Sequence, residues 1–493
     1  RTRNYPMSYP IQYPPPLIQK TLRLEAAGDG PPATLMLVLP SIVRPGELVG
    51  LNVSVLDERG LPLADGGAAP VTVHVPDGNG GTVAQTVDFP AGEPAVCRIE
   101  GIAFNQPGFV RIAAACGELT AHSNPALVST EERPQILWGD PHIHTMLSDC
   151  HPERCRSRVL AYAAARYVYG LDFAAIADHV SGGKRGTFGK WRDNLAMADL
   201  FNDAPEFATL LCYEASMPSG EGGDNNVYLA EPREHYVDPG EEKLTVRELA
   251  EKLDPGDYLV PHHTSRANKH GEIPPELYPG EARMPVVEIH SKWGCSEYPG
   301  HPDGLNKPRQ GPAYAQDLLA SGYHIGFIGG TDTHTSLTFG SALEPDHIRH
   351  RPGLTAALAA DNHRRAIHNA IANRQCYAAC GERIVLDVTC DELNMGEVKS
   401  ASGDPKRSRT IAVRCAAQSS IDTLEIIRNG QVVHTVAAGD WQTACTWTDS
   451  EALDAVAMPH SLKSGAFVYY YVRVTTASGA RAWSSPCWFE CGK

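Results

Sequence analysis

The pattern of hydrophobic and polar positions changes twice along the chain. Up to about residue 135, apolar positions form short β-type runs, such as 33–39, 48–56 and 71–75, separated by turns rich in Pro and Gly. Valine-rich runs of this length, bounded by turn signals, are typical of packed antiparallel sheets. The pattern therefore predicts an immunoglobulin-like β-sandwich domain over residues 1–135.

From residue 136 to about 380, strand-like runs alternate with helical ones. Helices are predicted at 156–169, 245–253, 312–321 and 362–373. Strands are predicted at 172–179, 206–214, 226–230, 257–262, 284–290 and 324–330. This alternation is typical of an α/β barrel or a doubly wound sheet.

After residue 380 the period returns to strict alternation, with strands predicted at 384–388, 410–414, 423–428 and 467–474. Asn429-Gly430 between two such runs is a strong hairpin signal. A second β-sandwich domain is therefore expected over residues 381–493.

Composition narrows the functional classes. The 493 residues, of which 42% are hydrophobic and 20% charged, suit a soluble globular protein of two or three domains. With 43 basic and 58 acidic residues, the net charge of -15 argues against nucleic acid as a partner. No apolar run is long enough for a membrane span, and the first residues lack the apolar core of a signal peptide.

The cysteines indicate the compartment. Thirteen cysteines, an odd number, are scattered through the chain, which suits a reducing environment better than a disulfide framework. The expectation is a cytoplasmic protein; its oligomeric state is left open.

Candidate chemistry lies at the carboxyl ends of the predicted strands. His142 and His144 are separated by two positions, so on an extended backbone both imidazoles point to one face, and Asp332 and His334 repeat this spacing. In barrel enzymes, side chains at these strand ends form the active site. The candidates at or just beyond strand ends are His142, His144, Asp149, Asp178, His179, Glu214, His262, His263, His290, Asp332 and His334.

These residue types favour a metal centre. Imidazoles and carboxylates without thiolates suit two or three divalent ions such as Zn, Mn or Fe, and Glu214 can bridge two of them because a carboxylate has two oxygens. The alternative is a buried, hydrogen-bonded histidine network with no metal.

Several ordered motifs resemble those of a known family. They are Gly139-Asp-Pro-His-Ile-His-Thr145 with Ser148-Asp149, Ala175-Ile-Ala-Asp-His179, the strand-end Glu214, Val260-Pro-His262, Glu288-Ile-His290 and Gly330-Thr-Asp-Thr-His334. Together they resemble the metal-dependent phosphoesterases of the PHP (polymerase and histidinol phosphatase) superfamily. A closer resemblance, to a PHP-like family long labelled as a domain of unknown function, rests on Tyr213-Glu214 followed by Asn226-Val-Tyr228, on His262-His-Thr-Ser265, on Gly326-Phe-Ile-Gly-Gly-Thr-Asp-Thr-His334 and on Arg374-Gln-Cys-Tyr377. The resemblance covers about residues 138–396.

The resemblance implies a distorted (β/α)7 PHP-type barrel with a trinuclear centre, flanked here by the two β-sandwich domains. The implied ligands are His142, His144, Glu214 and Asp332 for one metal; Glu214, His262 and His290 for a second; and Asp149, His179 and His334 for a third. Two histidines, His262 and His263, are adjacent, and the resemblance leaves open which of them binds the second metal. His262 is favoured as the ligand and His263 as a neighbouring group or proton donor.

Three positions depart from the family's motifs. Pro141 stands where Leu is usual, Ala177 where Thr is common, and Cys150 where Gly usually follows Ser-Asp. None of them removes an implied ligand, although Cys150 could perturb the third metal position.

The implied chemistry is hydrolysis by a metal-activated hydroxide. Cations in the loops after metal-bearing strands are candidates to hold an anionic substrate: Arg266 and Lys292 first, then Lys184 and Arg185. Trp191 and Trp293 either line a leaving-group pocket or pack in the core.

The leading hypothesis is a phosphoesterase acting on small anionic organic substrates, including mono-, di- and triesters. The first alternative is a hydrolase with the same metals that attacks a lactone, carboxylic ester, sulfate ester, amide or glycosidic linkage, because ligands alone do not select the electrophile. The second is a non-catalytic binding scaffold.

Overall fold

The computed structural model describes residues 9–491 except 65–68, 78–79, 181–186, 268–269, 272, 274, 306–307, 310–311, 346–347, 402–405 and 462. The fold is mixed α/β, consists mostly of strands and contains several sheets. None of the helices in the described ranges is long and apolar enough to cross a membrane.

The N-terminal region contains one helix, α1 (Pro16–Glu25), and short strands. The strands are β1 (Ile11–Gln12), β2 (Thr34–Val38), β3 (Ile42–Val43), β4 (Leu48–Leu56), β5 (Val71–Pro76), β6 (Thr82–Val87), β7 (Val96–Ala103), β8 (Gly108–Val110), β9 (Ala113–Cys116), β10 (Leu119–His122) and β11 (Ala126–Val128). They form two four-stranded sheets, β1-β7-β4-β2 and β10-β9-β5-β6, and a three-stranded sheet, β3-β11-β8. Alternating residues such as Val53, Val73 and Ile99 are fully buried in one shared apolar core.

The middle region alternates strands with helices. Its strands are β12 (Gln135–Ile143), β13 (Phe173–Ile176), β14 (His179–Val180), β15 (Ala208–Ser216), β16 (Asp224–Leu229), β17 (Tyr258–Pro261), β18 (Val286–Ser291), β19 (Gly294–Cys295), β20 (Gly326–Gly329), β21 (Gly353–Ala359) and β22 (Cys376–Cys380). Its helices are α2 (Arg158–Ala163), α3 (Thr187–Phe201), α4 (Pro239–Glu242), α5 (Val246–Lys252), α6 (Ala315–Ala320) and α7 (Arg364–Ala372).

Seven of these strands follow one another around a closed circuit. Strand pairing leads from β12 through β13, β15 and β16 to β17, and separately from β18 to β20. Two isolated bridges join these parts: His262 pairs with Glu288, and Ile143 pairs with Thr333. The circuit brings the chain segments that carry the candidate residues side by side.

The C-terminal region is almost entirely β. It comprises β23 (Val385–Cys390), β24 (Leu393–Asn394), β25 (Val398–Ser400), β26 (Arg409–Ala416), β27 (Ile421–Arg428), β28 (Gln431–Ala437), β29 (Gln442–Asp449), α8 (Leu453–Val456), β30 (Met458–Pro459), β31 (Ala466–Thr476), β32 (Arg481–Ser484) and β33 (Cys487–Cys491). The hairpin predicted at Asn429-Gly430 joins β27 and β28.

The C-terminal strands are continuous with the middle region. β22 pairs with β32, which pairs with β31, so one sheet runs across residue 380. The buried carboxylate of Glu297 strengthens this junction by accepting hydrogen bonds from Tyr471 and Trp483, at 2.7 Å each, and from Arg473 at 2.8 Å. The boundary predicted at 380 therefore does not coincide with a break between sheets.

Four helices were not predicted by the periodicity: α1, α3, α4 and α8. α1 lies in the Pro-rich N-terminal stretch, where Pro16 occupies the first helical turn, a position that tolerates a missing N–H. α3 follows β14 in the middle region. α1 also meets the middle region, since Glu25 accepts a hydrogen bond of 2.6 Å from Ser157, the N-cap of α2.

Candidate metal centre

The described structure brings most of the predicted residues into one buried cluster at the strand ends. His142 lies in β12 and His144 directly after it, while Glu214 lies near the end of β15. Asp332 follows β20 in the left-handed backbone region, with φ of 50°, and its N–H donates to His142 O at 2.9 Å. That bond fixes the strained residue against β12.

The centre of the cluster contains two imidazoles and two carboxylates. The ligand atoms of His142, His144, Glu214 and Asp332 all lie within 4.8 Å of one another, and all four residues are buried. His144 Nε2 is 3.0 Å from Asp332 Oδ1 and 3.1 Å from Glu214 Oε2. The two Nε2 atoms of His142 and His144 are only 3.2 Å apart.

A hydrogen bond to Glu288 orients the His142 ring towards the other ligand atoms. Its Nδ1 lies 3.0 Å from Glu288 Oε2, and because a carboxylate only accepts, Nδ1 carries the hydrogen. This bond fixes the ring so that Nε2 points towards His144. Only glycine fits at position 330 behind this pair, since a Cβ there would lie 2.8 Å from His142 Cβ and against Glu288.

A second part of the cluster adjoins the first through shared residues. His262 Nε2 lies 2.8 Å from Glu214 Oε1, and His262 also groups with His142 and Glu288. His263 forms a further group with His262 and Asp224, and its Nδ1 is 3.5 Å from Asp332 Oδ2. Shared ligands of this kind are a feature of centres that hold more than one ion.

A third part contains sulfur. The ligand atoms of His144, Cys150 and His179 lie within 4.8 Å of one another. His179 Nε2 is 3.3 Å from Glu214 Oε2, which links this group to the first. Burial raises the pKa of the Cys150 thiol, but the neighbouring His144 and His179 outweigh it and lower that pKa to about 2.

The electrostatic field of the cluster favours cations. Burial lowers the pKa of His142, but the Glu288 and Asp332 carboxylates outweigh it and raise that pKa to about 9. Burial raises the pKa of Asp332, yet His142 and the other imidazoles hold it well below its usual range. The same carboxylates that keep a proton on His142 would attract a divalent ion in its place.

The structure places the predicted ligand His290 outside the cluster. Its Nε2 donates to Arg351 O at 3.0 Å, and its ring stacks on Trp483. The reason is a register shift between Glu288 and His290, where β18 has one residue more than β20. The extra residue, Ile289, turns His290 to the other side, so Glu288 is the residue of this strand that reaches His142.

Asp149 and Lys292 also lie apart from the grouped ligand atoms. Asp149 Oδ1 accepts from Lys190 at 2.9 Å, and Asp149 belongs to none of the ligand groups among the described residues. Lys292 is fully buried, and its Nζ donates to Thr333 Oγ1 at 3.0 Å and to Leu337 O at 3.1 Å. These bonds anchor the loop after β20.

Arg266 lies beside the cluster. Its guanidinium stacks over the Trp293 ring at 3.9 Å, and Trp293 in turn contacts the rings of His263 and His334. Trp191, by contrast, is a core residue whose Nε1 donates to Arg233 O. Lys184 and Arg185 lie outside the described residues.

The buried polar atoms test whether these residues suit a metal. Within the described ranges, seven cluster atoms have no hydrogen-bond partner: Glu214 Oε2, Asp224 Oδ1, His262 Nδ1, His263 Nδ1, His263 Nε2, Glu288 Oε1 and His334 Nδ1. Buried polar atoms are rarely left in this state, because each costs the free energy of its lost hydration. Divalent ions would satisfy such nitrogen and oxygen atoms, so the residues present fit a metal centre.

Three members of the groups were not predicted as ligands from the sequence. Glu288 was visible in the motif Glu288-Ile-His290, but only the bulge shows which of its two polar residues faces the cluster. Asp224 begins β16 opposite Ser216 of β15, a pairing without a local sequence signal. Cys150 was noted only as a departure from the family's motifs.

No protein-family model matches the chain. Three uncharacterized chlamydial proteins are similar to it: one from Chlamydia pneumoniae, 28% identical over 410 residues; one from Chlamydia muridarum, 28% over 413; and one from Chlamydia trachomatis, 27% over 407. Each match covers 78% of this chain and 63% of the relative. The chain thus spans less than two thirds of the length of these relatives.

Solved structures give only remote matches. A β-glucuronidase of Parabacteroides merdae is 10% identical, with 93% of this chain and 64% of that chain covered and a TM-score of 0.16. A glucanotransferase of a Paenibacillus species is 10% identical, with 94% and 72% covered and a TM-score of 0.24. TM-scores this low carry no argument about fold or function.

Proposed function

We propose that this protein is a metal-dependent hydrolase that cleaves phosphoesters of small organic substrates. The observation that carries the proposal is the convergence of His142, His144, Glu214 and Asp332, whose ligand atoms lie within 4.8 Å of one another. Two further groups share His142 or His144 with this one, which favours a centre of two or three ions.

The proposal includes a PHP-type barrel. The circuit of seven strands, joined by the His262–Glu288 and Ile143–Thr333 bridges, supports it. So does the position of most grouped residues: His142, His144, His179, Glu214, His262 and Asp332 lie at or just beyond the carboxyl ends of β12, β13, β15, β17 and β20. That is where barrel enzymes assemble their catalytic groups.

The protein residues have separate tasks in this proposal. His142, His144, Glu214, His262 and Asp332 hold the ions, and Glu288 orients His142 through its 3.0 Å hydrogen bond. Divalent ions bound there supply hydroxide near neutral pH and offset negative charge on a phosphoryl group. Asp140 holds the loop after β20, because its carboxylate accepts hydrogen bonds from Thr331 and Thr338.

Two residues are assigned to the substrate and to its protons. Arg266 offers a fixed cation beside the cluster, held flat on Trp293, and a guanidinium suits the oxygens of a phosphoester. His263 Nε2 lies 3.6 Å from Asp224 and its Nδ1 3.5 Å from Asp332, so this imidazole is placed to hold or move a proton. Lys292, engaged with Thr333 and Leu337, is assigned to positioning the loop.

The compartment proposed is the cytoplasm. All thirteen cysteines are free, and most are buried. Free thiols in this number fit a reducing environment.

The test combines metal analysis with a substrate series. Purified protein is analysed for bound elements, then assayed with aryl phosphate mono-, di- and triesters, aryl carboxylic esters, aryl sulfates and lactones in the presence of Mn or Zn. His144→Ala should lose metal and turnover together, whereas His434→Ala, a histidine stacked on Trp447 in the C-terminal region, should keep both.

Each outcome separates the hypotheses. Two or three ions per chain with phosphoester turnover supports the proposal. If the protein binds ions but turns over only the carboxylic esters, lactones or sulfates, hydrolysis of that substrate class replaces phosphoester hydrolysis as the function. A protein that binds no stoichiometric metal after repletion would overturn both and leave the binding scaffold.

A further inference from the structure

The family's motifs imply a third metal position, held by Asp149, His179 and His334. We propose that the thiolate of Cys150, and not Asp149, is the ligand that joins His179 at this position. This inference rests on the proposed metal centre and specifies one of its positions.

The distances place sulfur among the nitrogen ligands. Cys150 Sγ is 3.8 Å from His144 Nδ1, and the ligand atoms of Cys150, His144 and His179 all lie within 4.8 Å of one another. Ser148 Oγ, 3.1 Å from Sγ and 3.2 Å from His144 Nδ1, connects the two side chains and keeps them in place.

An unpartnered imidazole adjoins the same group. The rings of His179 and His334 both stack on His144, with centroids 5.1 and 4.6 Å from it. His334 is only 4% exposed, and its Nδ1 has no hydrogen-bond partner. A buried nitrogen in that state indicates a missing ligand at this end of the cluster.

Asp149 is engaged elsewhere. Its Oδ1 accepts from Lys190 of α3 at 2.9 Å, and it groups with none of the described imidazoles. The sulfur of Cys150, by contrast, already lies in the group with His144 and His179.

A sulfur ligand changes which ions this position prefers. Thiolates favour zinc, cobalt and similar ions over magnesium and manganese, which prefer oxygen. The position formed by His142, His144, Glu214 and Asp332 has only nitrogen and oxygen ligands. The inference therefore predicts different metal preferences at the two positions of one centre.

Cobalt provides the direct test, because a thiolate bound to Co(II) gives a charge-transfer band in the near ultraviolet that nitrogen and oxygen ligands do not give. The protein is stripped of metal, reconstituted with Co(II), and measured for its spectrum and for cobalt per chain. Wild type should show the band, and Cys150→Ser should lose the band together with one equivalent of cobalt while keeping the rest.

Two matched variants sharpen the result. Asp149→Asn should keep the band and the full cobalt content. Cys155→Ser should do the same, since the Cys155 sulfur is buried and donates to His334 O at 3.1 Å outside the ligand groups. Cobalt bound by wild type without the band, a band that persists in Cys150→Ser, or one equivalent lost on Asp149→Asn would each overturn the inference and leave the metal centre standing. Failure of wild type to bind cobalt would overturn both.

Alkylation of the unaltered protein gives a second test that does not depend on a variant's folding. Cys150, Cys445 and Cys491 are the three partly exposed cysteines. Zinc or cobalt should protect Cys150 from iodoacetamide, measured by peptide mass spectrometry, and leave the labelling of Cys445 and Cys491 unchanged. Equal labelling of Cys150 with and without metal would contradict its role as a ligand.

Discussion

Two buried charged clusters in this protein differ in how their atoms are paired. In the C-terminal region, one oxygen of Asp449 accepts hydrogen bonds from Arg409 and Arg428 at 2.7 Å each and from the Tyr470 hydroxyl at 2.6 Å. Both guanidinium groups meet a carboxylate of opposite charge, and the neutral Tyr470 hydroxyl donates to the same oxygen. Such an arrangement is a structural ion-pair network that is complete without a ligand.

The cluster at the strand ends leaves several of its buried polar atoms without a hydrogen-bond partner. The Nε2 atoms of His142 and His144 converge on the carboxylates of Glu214 and Asp332, and Glu214 Oε2 has no hydrogen-bond partner. Burial alone does not distinguish the two clusters, since both are nearly inaccessible to solvent. The distinction is that the donors and acceptors of the first set are paired with one another, whereas several buried atoms of the second set have no partner.

The largest effect is expected for Glu214→Gln. In the proposed centre Glu214 would help to hold the ions, and a neutral amide would hold them less tightly than a carboxylate, so turnover should fall on the order of 1,000-fold or more. A chelator should lower the melting temperature of the metal-loaded wild type and leave that of this variant unchanged. A variant with full metal content and rate would show that Glu214 is not a ligand.

Asp449→Asn should affect stability and not the metal. Loss of the carboxylate leaves the fully buried Arg409 without its counter-charge, which should cost about 3–5 kcal/mol in the free energy of unfolding. Urea denaturation measures this cost, and elemental analysis of the folded variant should give the wild-type metal content. Reduced metal content would mean that the two clusters are coupled.

Glu288→Gln should have an intermediate effect. It weakens the hydrogen bond that orients His142, and changes of this kind typically lower metal affinity about 10–100-fold. His290→Gln, on the same strand beyond the bulge, is the matched control and should leave the affinity unchanged. Chelator competition measures the metal affinity of both variants. Equal losses of affinity would contradict the placement of Glu288, and not His290, on the side of β18 that faces the cluster.

The smallest effect concerns pH. Burial raises the pKa of Asp449, but hydrogen bonds from Tyr470 and Arg428 outweigh this and lower it below its usual range. The ionised carboxylate therefore stabilises the fold at pH values above its ordinary pKa, and that stability is lost as the pH falls through the lowered value. The difference in unfolding free energy between wild type and Asp449→Asn should shrink from about pH 7 to about pH 3; a constant difference would argue against the ion-pair network.

Much of the secondary structure followed from periodicity. The strands at 48–56 and 71–76 lie where the alternation predicts them, and α7 (Arg364–Ala372) falls inside the predicted 362–373. Of the predicted ligands, His142, His144, Glu214 and Asp332 converge because each follows or ends a strand of one circuit. Asp149 and His290 do not converge with them, for reasons that involve partners distant in sequence.

The sequence by itself determined the alternation of strands and helices, the residue types at the strand ends and the acidic charge. These properties are local, since each depends on a residue and its near neighbours. The tertiary structure alone decided which side of β18 His290 faces, that Lys190 holds Asp149, and that Cys150 reaches His179. A single bulged residue or one ion pair across the fold redirects a side chain, and neither leaves a mark in the local pattern.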